Sequence, residues 1–164
     1  MPNCKVTELE LKGSHRRIAT INFDGGDLSS DGGMPLLRML ENHLSLFEKL
    51  IPHFRDSRDQ NRVVHSVREL IAQRIYGFAL GYPYLNDHDQ LARDPLLAFL
   101  VGKRVIEETQ NGDKKVTPLA SSSTLNRIEL SANTENRMRH CKIRADLEGL
   151  QSVFLELYLE SKNT

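Results

Sequence analysis

The chain has 164 residues, of which 39% are hydrophobic and 27% charged, with 22 cationic side chains against 22 acids. That is enough for one domain with a core, and zero net charge at this hydrophobicity excludes overall disorder and any whole-molecule attraction to nucleic acid or membrane. Two cysteines far apart, Cys4 and Cys141, form neither a disulfide framework nor a zinc spacing, which suits a reducing cytoplasm, and neither a membrane-spanning apolar run nor a basic-then-apolar leader is present.

Residues 6–11, VTELEL, alternate weakly and read as a short edge strand. RRIATINFD (16–24) alternates Ile18, Thr20 and Asn22 against Ala19, Ile21 and Phe23, as a strand does. FDGGDLSSDGG (23–33) then packs three aspartates and four glycines into eleven residues. MPLLRMLENHLSLFEKLI (34–51) places Leu36, Leu37, Leu40, Leu44, Phe47, Leu50 and Ile51 at helical spacing, with Pro35 in the first turn. Pro52 ends that helix, and HFRDSRDQNR (53–62) is a polar, arginine-rich connector.

The next helix is expected over 63–81, with Val64, Val67, Leu70, Ile71, Ile75, Phe78 and Ala79 inward and Gly81 and Pro83 stopping it. NDHDQLARDPLLAFLVG (86–102) reads as two short helices, the second entered at Asp94-Pro95. QNGDKK (110–115) reads as a hairpin or loop tip. SSSTLNRIELS (121–131) starts with serines suited to an N-cap. Residues 134–160 read as one long helix with Leu147, Leu150, Val153, Phe154, Leu157 and Tyr158 spaced for burial. The expected fold is mainly α, with a small β element near the start, around 16–24.

FDGGDLSSDGG is open to three chemistries. From Asp27 the pattern Asp27, Ser29, Asp31, Gly32 matches the start of a calcium loop, but the twelfth position, which needs a bidentate Glu, is Arg38. A phosphate loop needs a lysine after the glycines, and none follows. The remaining reading is a tight turn and a helix start, with Ser30 or Asp31 as cap.

NDHDQLARD (86–94) gathers Asp87, His88, Asp89 and Asp94, which are metal-ligand types. Adjacent helical residues point about 100° apart, so Asp87, His88 and Asp89 do not all face one ion; helix capping and an Asp89–Arg93 surface pair are the plainer reading. No nucleophile or zincin motif occurs. The cations are more suggestive. Arg55, Arg58 and Arg62 lie three and four apart, Ser123, Asn126 and Arg127 sit at a helix start, and Arg137, Arg139, Lys142 and Arg144 cluster further on. Helix-start amides and hydroxyls receive phosphates, and Asn and Arg read base edges. The plain alternative is that these are solvated helix faces.

Three stretches in this order, FDGGDLSSDGGMPLLRML, RVVHSVRELIAQRIYGFALGYPYLNDHDQLARDPLLAFLVGK and PLASSSTLNRIEL, resemble the N-terminal region of bacterial insertion-sequence transposases of the IS-thirteen-eighty group, in the DDE transposase superfamily. The resemblance covers roughly residues 15–131, and RIYGFALGYPYLNDHDQLARDP is its most specific part. It implies three acids on an RNase H-like core binding two magnesium ions for DNA cleavage and strand transfer. Asp24, Asp27 and Asp31 do not match those acids. The expectation is therefore a single N-terminal domain over 1–164 that stops before the catalytic core. It would hold no catalytic residues, metal site or cofactor of its own, with Mg2+ belonging to the full-length core.

The expected function is DNA binding at transposon ends, through Arg55, Arg58, Arg62, Ser123, Asn126 and Arg127. The expected partners are that DNA and a homodimer or a full-length transposase, with no membrane, in a bacterial cytoplasm at the nucleoid. The alternatives are an oligomerisation or dominant-negative module without specific DNA recognition, and a metal-dependent nuclease built on Asp87–Asp94.

Overall fold

A computed structural model of the chain describes residues 9–12, 18–21, 33–103, 106–108, 114–116, 118–132 and 142–162. Strands β1 (Leu9–Lys12) and β2 (Ile18–Ile21) pair antiparallel, Leu9 opposite Ile21. This is the small N-terminal β element. Of FDGGDLSSDGG, only Gly33 lies within the described residues.

Helix α1 (Met34–Leu44) starts from Gly33 with no side-chain cap, so the boundary falls downstream of Ser30 and Asp31. Pro35 sits in the first turn, where its missing N–H leaves no bond unmade. The expected single helix over 34–51 is broken. Ser45 adopts a left-handed conformation (φ 51°) and separates α1 from α2 (Leu46–Leu50). The inward face of α1 also differs from the apolar spacing. Leu36, Met39 and Leu40 are exposed, while Arg38 and Glu41 are buried. Arg38 turns inward because its guanidinium donates to the carbonyl of Leu100, in the last turn of α5 (Pro95–Val101), where a cation is favoured.

A turn of 3-10 helix (Ile51–His53) leads into β3 (Phe54–Asp56), so the polar connector contains a strand. Helix α3 (Val67–Ala79) begins later than the spacing suggests. Ser66 and Glu69 form a reciprocal capping box that fixes the start, which leaves Val64 outside the helix and exposed; Phe78 and Ala79 are exposed as well. Gly81 turns the chain away at φ 87°. Helix α4 (Asp87–Gln90), a 3-10 turn and α5 follow, with Asp94 accepting from the Leu97 N–H as expected for the second helix.

Strands β4 (Ile106–Glu108) and β5 (Lys114–Val116) pair antiparallel; the tip between them lies outside the described residues. Helix α6 (Ser122–Glu129) follows. The long helix expected from 134 is instead a strand, β6 (Ile143–Ala145), and a helix, α7 (Leu147–Lys162), with 133–141 outside the described residues. On α7, Val153 is buried, but Leu147, Phe154 and Tyr158 are exposed.

The result is mainly α with small two-stranded sheets. Its core centres on Phe47, Leu70, Tyr76, Leu97, Leu100, Leu125 and Ile143. Phe47 and Tyr76 meet edge-to-face with centroids 5.7 Å apart, the arrangement that aromatic quadrupoles favour. β3 and β6, from opposite ends of the described core, join as an antiparallel ribbon with Arg55 opposite Arg144.

Candidate nucleic-acid interface

Beside the ribbon lies an open groove of about 640 Å³. One wall is the segment from Arg58 to His65, the other is α6 through Thr124 and Arg127, and Lys142 and Ile143 close the end. Four cations, Arg58, Arg62, Arg127 and Lys142, thus come together from separate parts of the chain, against Asp59 as the one lining acid among the described residues. They are not equivalent. Arg58 forms a two-pronged pair with Asp56, Nε to Oδ1 at 2.9 Å and the terminal nitrogen to Oδ2 at 2.8 Å. That contact holds the Asp56 carboxyl below its ordinary value and largely offsets the Arg58 charge. Arg62 is exposed and only loosely near Asp59, at 3.9 Å. Arg127 and Lys142 are exposed and form no ion pair among the described residues.

His65 forms part of the same wall. The Lys103 ammonium, itself buried, lies 2.6 Å from its Nδ1 and donates to the Val64 carbonyl at 3.0 Å. Burial first, then the neighbouring Lys103 charge, lowers the His65 pKa to about 4. With Nδ1 accepting from Lys103, the neutral ring carries its proton on Nε2 and acts as a donor there.

NDHDQ, read from sequence as ligand types, instead locks α6 in place. Asp89 accepts from the Ser122 N–H at 2.8 Å and its hydroxyl at 2.7 Å, so the helix start is capped from another element rather than by Ser121. The expected Asp89–Arg93 pair gives way to this contact. His88 is fully buried between Gln73, 3.3 Å from Nδ1, and Arg74, 3.0 Å from Nε2. Burial and the Arg74 charge push its pKa down. Gln73 also exchanges two 2.9 Å hydrogen bonds with the Ala120 backbone, and Arg74 pairs with Glu129 at the far end of α6. Asp87 accepts from the Tyr84 N–H. The motif is thus a clamp that fixes where α6 presents its outer face. Among the described residues, no group of three or more His, Cys, Asp or Glu could hold a metal ion.

Of the six residues singled out from sequence, Arg58, Arg62 and Arg127 line one groove. Ser123 and Asn126 are exposed on α6 outside its lining, and Arg55 is exposed on the ribbon. Lys142, Thr124 and His65 were not among them; only Lys142 had a sequence signal, as one of the four cations within 137–144.

A family model described as transposase DDE domain group 1 matches residues 11–164, a span that takes in the ribbon, the groove and the clamp. No curated protein and no solved structure matches the chain.

Proposed function

The chain belongs to the transposase DDE domain family, group 1, and on that premise we propose that it recognises transposon-end DNA in the groove between residues 58–65, α6 and β6. The observation that carries this reading is the convergence of Arg62, Arg127 and Lys142 from three separate elements on one open groove in a chain with no net charge. Local cationic convergence is the footprint that backbone phosphates require. The asparagine and arginine of α6 supply the donors and acceptors that read base edges, and the clamp fixes that helix in position. Arg55, Arg62, Ser123, Asn126 and Arg127 remain the proposed contacts; Arg58, tied to Asp56, acts mainly by shaping the loop.

The finer assignment is to a bacterial insertion sequence of the IS-thirteen-eighty group, with 1–164 as one N-terminal domain working in the cytoplasm at the nucleoid. Among the described residues no helix is long and apolar enough to cross a membrane. We assign the magnesium chemistry of the family, and the acids of cleavage and strand transfer, to positions outside the described residues; in support, Asp56, Asp89 and Asp94 are each engaged with an arginine, a serine or a helix start.

Fluorescence anisotropy with labelled DNA tests this. Preference for terminal-repeat over scrambled DNA on the order of a thousandfold is expected, and equal, salt-sensitive binding to both would overturn it. Arg127→Ala is expected to cost about 1–3 kcal/mol and relax preference at one base pair. Arg62→Ala is expected to weaken all DNAs alike.

A second reading has its own observation. Leu147, Phe154, Leu155, Tyr158 and Leu159 of α7 are all about half exposed or more, which suits an assembly surface. Sedimentation without DNA tests it: a dimer is expected, and a monomer at high micromolar concentration would remove it.

A further inference from the structure

Arg55 and Arg144 face each other across the β3–β6 ribbon. The ladder continues beyond them, with the Ser57 N–H donating to the Lys142 carbonyl and the Asp146 N–H to the His53 carbonyl, both at 2.8 Å. Because antiparallel bonding alternates, the arginines are the hydrogen-bonded pair between these, with α-carbons about 5.5 Å apart and side chains on one face. Both are exposed, and neither forms an ion pair among the described residues. Like charges directly opposite one another destabilise a strand pair.

The next pair on that face is Ser57 with Lys142, a hydroxyl and a third cation, both exposed. Lys142 also lines the groove, so the face and the groove are continuous. The acid at the other end is occupied: Asp146 lies 3.7 Å from the His53 ring and accepts from the Gly149 N–H. Asp56 is turned to Arg58.

We infer that Arg55 and Arg144 together clamp one phosphodiester of the DNA backbone, with Lys142 linking this contact to the groove. A phosphate between two guanidiniums accepts hydrogen bonds from both and removes the repulsion that the free protein carries. The clamp rests on the DNA-binding reading above, and it adds Arg144 to the contacts proposed there.

The test compares wild type, Arg55→Gln, Arg144→Gln and the double variant. Affinity for terminal and scrambled DNA is read against salt, and melting temperature is read in sodium phosphate and in sodium chloride of equal ionic strength. One shared phosphate predicts that each single variant loses about tenfold on both DNAs with little change in salt slope. The double variant then lowers the slope by about one unit. The free double variant melts at or slightly above the wild type, because the repulsion is gone, and phosphate raises the melting temperature of the wild type alone. A slope falling by about one unit in each single variant and two in the double would mean separate phosphates and overturn the shared clamp. DNA binding unchanged in the double variant would overturn the inference while leaving the groove reading intact. Wild type that binds no DNA yet is stabilised by phosphate through these arginines would overturn the groove reading and give the pair a free-phosphate role. Neither effect in the wild type would overturn both.

Discussion

The imidazole of His88 lies where a β-carbon on Gly77 would sit 2.5 Å from its Cε1. In an ordinary helix interior, replacing glycine by alanine gains up to about 1 kcal/mol. Here the ring is fully buried and held by Gln73 and Arg74, so it has nowhere to go. Gly77→Ala is therefore expected to destabilise by about 1–3 kcal/mol, read as a lower melting temperature. Asp89→Ala is expected to lower it too and to weaken DNA binding, since the start of α6 loses its cap. His88 and His65 are both held neutral in the fold, His65 down to about pH 4. In the unfolded chain each titrates near 6.5. Between those values only the unfolded chain takes up the proton, so stability is full above about pH 6.5 and falls as pH drops toward 4. Thermal melts across that range check it; a flat profile would contradict it. The sequence put His88 among plausible ligands because three polar neighbours were visible and their partners were not. Gln73, Arg74 and Ser122 lie elsewhere in the chain, and local spacing carries no information about them.

Helix types and most boundaries were readable wherever the cue was local. Asp94-Pro95, Gly81 and the strand alternation around 18–21 each act through their own backbone. The break at Ser45 was not readable, because nothing in MLENHLSLFEK forbids a continuous helix. The left-handed conformation there costs a non-glycine residue roughly 1 kcal/mol, and the Ser45 side chain makes no capping bond to offset it. Ser45→Gly is accordingly expected to raise stability by up to about 1 kcal/mol, measured by denaturant titration; a loss would show that the hydroxyl has an unrecognised role. The buried face of α1 departs from its apolar periodicity for a related reason. Apolar periodicity assigns the inner side to Leu36 and Leu40, but the carbonyl end of α5 is better served by Arg38. Arg38→Ala leaves that carbonyl without its partner and is expected to cost about 1–3 kcal/mol.

Taken whole, the molecule is electrically neutral, yet among the described residues Arg55, Arg58, Arg62, Arg127, Lys142 and Arg144 gather on one groove and ribbon. Binding to DNA is expected to weaken steeply with salt, while the melting temperature without DNA changes little over the same range, since the ion pairs in the fold are mostly at the surface, as between Lys49 and Glu156 or Glu160. Composition foretold that any nucleic-acid surface would be local. It did not show that residues near 58 and near 142 share it, because the β3–β6 pairing is non-local. That pairing also sets an order of events during folding. Helices α3 and α5 can find each other early, being close in sequence. The ribbon must wait until most of the chain has been drawn in, since the loop it closes is far longer than the one between α3 and α5 and costs more entropy. In a refolding experiment followed by both signals, helical circular dichroism should therefore recover before the ability to capture DNA, and the newly made chain would be compact for some interval before it could act.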